Sequence, residues 1–245
     1  MNCHPCQQRD WSLPSFAEIV SELKHPFMFH RKLWEMWFII FTLRQAGMLT
    51  AGKRGIGFGV GREMLPAYFN SLGCEILATD QNAETAGAWA ETGQHAMPGN
   101  HKNFRALDMR AIPPDLTGFD FCWSACALEH LGTPDAGMKF AIDSLNVLRP
   151  GGFAVHTTEY MFDDAPQTGP FADGITIYHR RDIEQLETKI DLLGHTMAPL
   201  KFDVEKMEYD NVIDEPPWKL PHIRLRLNGL EITSFGLVIR KSEDA

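Results

Sequence analysis

The spacing of apolar residues changes along the chain, and those changes predict its elements. The most apolar run, residues 34–43 ("WEMWFIIFTL"), is apolar around nearly the whole circumference of a helix. Such a helix belongs in a core, so the first fifty or so residues read as a helical region with Trp34, Trp37, Phe38, Ile39, Ile40 and Phe41 inside. The run is too short to span a bilayer. Short strand-like runs then occupy 53–58, 74–79, 103–107, 119–124 and 153–158, alternating with helical patterns at 63–72, 83–92 and 134–148. Pro66 requires the first of these helices to start near Arg62, because only a first-turn proline loses no backbone bond. "RPGG" at 149–152 is expected to stop the long helix.

Strands alternating with helices predict a parallel sheet covered on both faces. Further on, 180–193 has an amphipathic helical pattern, 201–207 a strand pattern, and 223–227 and 232–240 flank Asn228-Gly229, a strong hairpin signal. The predicted fold is a doubly wound, mostly parallel α/β sheet of seven strands, with antiparallel C-terminal strands and N-terminal helices. It divides into a helical cap at 1–52 and a main domain at 53–245.

Composition narrows the class. The 245 residues, 44% hydrophobic and 22% charged, suffice for one α/β core. A net charge of −9 argues against a nucleic-acid partner, since phosphate binding needs an excess of Lys and Arg. No basic and then apolar leader is visible, and five cysteines without framework spacing suit a reducing compartment, so a cytoplasmic protein is expected. "CHPC" at 3–6 could supply half a zinc site, but no second pair follows, and a flexible terminus is expected instead.

Candidate chemistry starts at "RGIGFGVGREMLPAYFNSLGCEILATD", residues 54–80. In a doubly wound sheet the ligand lies where the first strand turns into its helix. Gly57, Gly59 and Gly61 stand there, but in every frame Val60, Arg62 or Met64 occupies the third glycine of a dinucleotide G-x-G-x-x-G motif. G-x-G-x-G makes a wider loop whose backbone passes close to an uncharged linker and an amino-acid end. Asp80, at the end of the second strand, can accept both ribose hydroxyl protons. Asp108 ends the third strand where an adenine amino group would lie, and Met109 offers the ring a soft surface.

These residues, with "ATD", "ALDMR", "GFDFCWSACALEHLG" and "LNVLRPGGFAVHTTEY", resemble the class I S-adenosylmethionine-dependent methyltransferases in order and spacing across 53–160. "ALEHL" and "LRPGG" most resemble the small-molecule branch of that family. The resemblance implies S-adenosylmethionine as cofactor. By it, Gly57, Gly59 and Gly61 line the methionine portion, Asp80 with neighbouring Gln81 holds the ribose, Asp108 and Met109 bracket adenine, and Ser124 and Ala125 close the side. Family members usually carry an acid at the position of Gly55, so Glu63 or a water is expected to take over the cofactor's amino end.

Methyl transfer is an in-line displacement, so the protein supplies chiefly alignment and exclusion of water, and a base only for a weakly acidic acceptor. His130, oriented by Glu129, could take a proton or simply pack. Glu159 and Tyr160 end the fifth strand, where acceptor contacts are expected. His156 lies within that strand. His179 could reach the acceptor or cap the next helix, with Asp182 its competitor for the cap. His130, Glu159 and His179 are thus the catalytic candidates. Residues 161–174, with Asp163, Asp164 and Asp173, read as a lid, and no metal site is expected. The predicted partner is a small acceptor, sugar-linked or natural-product, methylated on a hydroxyl, with an N- or C-methylase or a non-catalytic binding module as alternatives. No nucleic acid or membrane is expected, and the N-terminal aromatic helix either roofs the acceptor or meets a second copy in a homodimer.

Overall fold

A computed structural model describes residues 1–82, 103–162, 171 and 174–244. The helix expected at 83–92 and most of the expected lid, with Asp163, Asp164 and Asp173, lie outside the described residues. The first strands form where the alternating and continuous apolar runs placed them: β2 at Arg54–Phe58, β3 at Glu75–Asp80, β4 at Phe104–Ala106 and β5 at Phe119–Ala125. β6 is longer than expected, running Leu148–Met161. The remaining strands are β1 at His4–Pro5, β7 at Thr196–Met197, β8 at Ile213–Asp214, β9 at Arg224–Leu227 and β10 at Leu230–Arg240.

They form one sheet in the order β4-β3-β2-β5-β6-β10-β9-β8. β2 through β6 run parallel, and β10 is antiparallel to β6, from Ile232 opposite Met161 to Arg240 opposite Phe153. The outer edge of β10 is covered in turn by β9, β1 and β7. That relay leaves little unpaired edge for another chain.

Five helices are described: α1 at Pro14–Glu22, α2 at Arg31–Gln45, α3 at Leu65–Ser71, α4 at Pro134–Asp143 and α5 at Arg180–Leu192. The broad apolar surface of α2 is explained by its position across β5, β6 and β10. Trp34, Trp37, Phe38, Ile39 and Ile40 are all buried, with Trp34 stacked on Phe38 at 5.0 Å. Gly236 of β10 makes this packing possible, because a Cβ there would sit 2.3 Å from the Phe38 ring. The helix face considered for dimer contact is therefore covered by the chain's own sheet.

Three expectations fail. "CHPC" is not a flexible end: Cys3 and Cys6 are fully buried, His4 and Pro5 pair with Gly236 and Phe235, and the Cys6 amide donates to the Ser234 carbonyl at 2.7 Å. The edge of β10 supplies the partners, and each thiol behaves as a small apolar side chain. "RPGG" does not stop a long helix. α4 ends at Asp143 and a 3-10 turn at Ser144–Val147 carries the helical stretch as far as expected, but "RPGG" sits inside β6 as an irregularity, with Leu148 opposite Phe119, Phe153 opposite Phe121, and Gly151 at φ +75°. Residues 201–207 form no strand. The edge of β10 there is taken by Thr196–Met197, leaving 201–207 without a ladder to join. The hairpin is as read, with Asn228 and Gly229 at φ 52° and 80°, the two positive values its turn needs. No helix among the described residues is long and apolar enough to cross a membrane.

Candidate active site

The site lies beyond the carboxyl ends of β2 to β6 and has two parts joined at Cys126. The first is a slot of about 310 Å³ lined by Gly59, Asp80, Gln81, Leu107, Asp108, Met109, Arg110, Cys126, Ala127, His130 and Leu131. Its floor is the turn after β2. Gly59 adopts φ +61°, and a Cβ there would lie 2.9 Å from Ala127 and 3.2 Å from Met109 Sδ, so only glycine leaves the passage open. Gly61 adopts φ +49° and donates its amide to Asp80 Oδ2 at 2.9 Å. Asp80 Oδ1 accepts the Asn82 amide, also at 2.9 Å.

The third glycine has a different task. Gly57 leaves room for the Trp123 indole, which a Cβ would meet at 2.4 Å, so it shapes the core beneath the slot. Gly55 is the same case, since a Cβ would meet the Phe121 ring at 2.4 Å and Ile76 Cδ1 at 2.8 Å. No acid fits at that position. Glu63, the expected substitute, accepts a hydrogen bond from Trp123 Nε1 at 2.7 Å, and burial of its carboxyl group pushes its pKa up to about 8.

The other candidates divide. Asp80, Gln81, Asp108 and Met109 share the slot with Gly59. Asp108 is tied to Arg110, whose guanidinium and amide hold its carboxyl below the ordinary range. Ser124 is turned away: its hydroxyl meets His156 Nδ1 at 2.8 Å, inside the core. His156 does not face the cleft. Burial lowers it to about 3, and its Nε2 meets Ser144 Oγ at 3.2 Å. Ala125 ends β5 opposite Thr157, and the wall is carried on by Cys126 and Ala127, which the sequence reading passed over. Their signal lay in the same "SACALEHL" run.

The second part is a buried polar cluster. The first turn of α2 brings Arg31 over the end of β6, where its Nη1 bonds Glu159 Oε1 at 2.6 Å and Ser234 Oγ at 3.1 Å. Glu35, one turn on, lies 3.5 Å from the same nitrogen and 3.2 Å from Lys32 Nζ. Burial alone would raise Glu35, but Lys32 and Arg31 overturn that and hold it low. Glu129 accepts from Thr158 Oγ1 at 3.4 Å, and burial, reinforced by Glu159, pushes it up to about 8. Cys126 Sγ, a Glu129 oxygen and a Glu159 oxygen all lie within 4.8 Å of one another. Burial and the Glu129 carboxylate drive the Cys126 thiol pKa well up. Glu159 Oε2 has no partner among the described residues.

Of the catalytic candidates, the structure brings Glu159 into this cluster and places His130 on the slot instead. Glu129 faces Thr158 and Glu159, not the His130 ring it was expected to orient. His179 precedes α5, where Asp182 accepts its amide at 2.8 Å, the cap expected of that acid. The His179 ring is buried, and its Nε2 has no partner among the described residues. The sequence reading missed Arg31, Lys32 and Glu35, because the bonds that place Arg31 reach Glu159 and Ser234, 128 and 203 residues along the chain.

Residues 55–156 match a family model described as a methyltransferase domain. No curated relative matches the sequence. Among solved structures, the chain is similar to magnesium protoporphyrin IX methyltransferase from Synechocystis PCC 6803 with bound S-adenosylhomocysteine, at 11% identity and TM-score 0.53, covering 96% of this chain and 98% of that one. It is also similar to the 1,6-didemethyltoxoflavin-N1-methyltransferase of Burkholderia thailandensis, at 17% identity and TM-score 0.54, covering 96% and 90%. The [4+2]-cyclase SpnF shares the fold as well, at 13% identity and TM-score 0.55, covering 98% and 97%. A fold common to methylases and a cyclase does not fix a reaction. What decides here is the domain match, which spans the glycine turn, Asp80 and the "EHL" wall, together with the open slot that the glycine turn and the Asp80 carboxylate border. On these grounds residues 55–156 are a methyltransferase domain, carried on a fold shared with methyltransferases that bind S-adenosylhomocysteine.

Proposed function

We propose that the chain methylates a hydroxyl of a small, sugar-linked or natural-product acceptor, seated against the polar cluster at the end of β6 beneath the N-terminal helices. One observation carries the reading: Glu159, one of whose oxygens lies within 4.8 Å of Cys126 Sγ, keeps a buried Oε2 with no partner among the described residues, and Cys126 also lines the slot. A buried carboxylate oxygen without a donor is costly, and an acceptor hydroxyl would satisfy it.

Bound S-adenosylmethionine supplies an electrophilic methyl group on its sulfonium. Asp80 spends one lone pair of each oxygen on a backbone amide, which leaves acceptor capacity for the ribose hydroxyls. Arg31 fixes Glu159 through Oε1, leaving Oε2 to take the hydroxyl proton as the acceptor oxygen is alkylated. The burial of Glu129, Glu159 and Cys126 excludes water from that step. His130, exposed on the slot wall, packs against the cofactor in this reading, and Glu63 stays with Trp123.

The test is incubation of the protein with isotopically labelled S-adenosylmethionine and a small-molecule cell extract, read by mass spectrometry. An O-methylated metabolite should gain the label, and Glu159→Gln should slow its formation about 100-fold or more. Labelling only on nitrogen or carbon, or no labelled metabolite, would overturn the proposal.

A further inference from the structure

The polar cluster contains more than an acceptor seat needs. Three of its side chains, Cys126, Glu129 and Glu159, come from the turn after β5 and the end of β6. Each offers a metal-ligating atom, all three residues are buried, and the atoms lie within 4.8 Å of one another. Tetrahedral coordination of zinc by a thiolate and two carboxylates would set them about 3.5 Å apart, a closure that side-chain rotation can supply. The buried, unpartnered Glu159 Oε2 is a second and independent sign that a ligand is missing, because Arg31 occupies only Oε1.

Formal charge agrees. Glu35 and Glu159 face Arg31 and Lys32, so those four charges cancel, and Glu129 and Cys126 join the cluster as neutral groups. A divalent cation that replaces the protons of Glu129 and Cys126 keeps the cluster neutral. We infer that Cys126, Glu129 and Glu159 bind one divalent metal ion of the zinc class, with a fourth position open toward the acceptor. The donor set favours a borderline metal over magnesium or calcium, which prefer all-oxygen shells. Binding displaces the Cys126 and Glu129 protons to solvent. The site deepens the acceptor reading given above and rests on it only for the use of the fourth position. With Glu159 Oε2 on the metal, an acceptor hydroxyl held at the fourth position would be acidified by the ion, as metal-bound water is, and would release its proton to solvent instead of to Glu159.

The experiment uses the full chain, stripped of metal and kept reduced, titrated with Cd2+ while the thiolate-to-cadmium band is followed in the near ultraviolet. One equivalent should bind, Zn2+ should displace it, Cys126→Ser should abolish the band, and Cys122→Ser, altering a thiol buried against Ser144, should leave it unchanged. Glu129→Gln and Glu159→Gln should each weaken binding about tenfold or more. Circular dichroism and calorimetric binding of S-adenosylhomocysteine show that each variant is folded. Absence of the band, or its survival in Cys126→Ser, overturns the metal site. If labelled methyl transfer then persists in a chelator, the acceptor reading stands without it. Cadmium binding with no labelled metabolite supports the metal site and removes the acceptor reading.

Discussion

The amide of Gly61 donates to Asp80 Oδ2 at 2.9 Å, so the glycine turn after β2 and the acid ending β3 are one unit. Loss of the carboxylate frees the turn that floors the slot and, in the proposed reading, also removes a ribose acceptor. Asp80→Ala should weaken S-adenosylmethionine and S-adenosylhomocysteine binding by about 2–3 kcal/mol, between one and two orders of magnitude or slightly more. Calorimetry of both ligands checks this, and unchanged affinity would remove Asp80 from the site.

Gly59 allows no side chain. Its φ of +61° and the 2.9 Å approach to Ala127 mean that Gly59→Ala combines left-handed strain of about 1 kcal/mol with a narrowed slot. The variant should remain folded by circular dichroism yet bind the cofactor more than tenfold less tightly. Gly61→Ala meets no atom within 4 Å and should show only the strain.

Restoring the family's usual acid at Gly55 should not improve binding. The new side chain would enter space held by Phe121 and Ile76 and bury a charge. Gly55→Asp should destabilise the fold by about 3 kcal/mol or more, read from urea unfolding.

Asp10 gives the molecule a pH-dependent stability. Burial raises its pKa to about 7, although Trp34 Nε1 donates to Oδ2 at 2.7 Å and pulls the other way. Below the ordinary value of 3.8 both the folded and unfolded chains are protonated. As the pH rises from there toward 7 only the unfolded chain ionises, so stability falls, and above 7 the loss is constant. Asp10→Asn, which keeps an acceptor for Trp34, should match the parent near pH 3.5 and exceed it at pH 8 by at most about 4 kcal/mol. Equal stability differences at both pH values would show that Asp10 titrates normally.

Much of this was legible locally. β2, β3, β5 and the hairpin turn follow from short apolar runs and the Asn-Gly pair, because strand period and left-handed turn preference are properties of a few adjacent residues. The Gly59, Gly61 and Asp80 unit was legible for the same reason: each stands at a strand end, and the parallel sheet brings those ends together. Gly57 and Gly55 look like further members of that glycine line, and only the packing of Trp123 and Phe121 against them reveals a core duty.

The polar cluster could not be read in advance. Arg31 and Glu35 lie in a helix that sequence marks simply as apolar, and they meet Glu159 and Ser234 only because α2 crosses β6 and β10 at their ends. "CHPC" likewise acquired its buried place from the free edge of β10. Short-range pattern thus determined the parallel layers and the cofactor turn, whereas contacts between residues more than a hundred positions apart decided which charges share a water-poor interior, because low polarity there couples groups that the chain alone keeps separate.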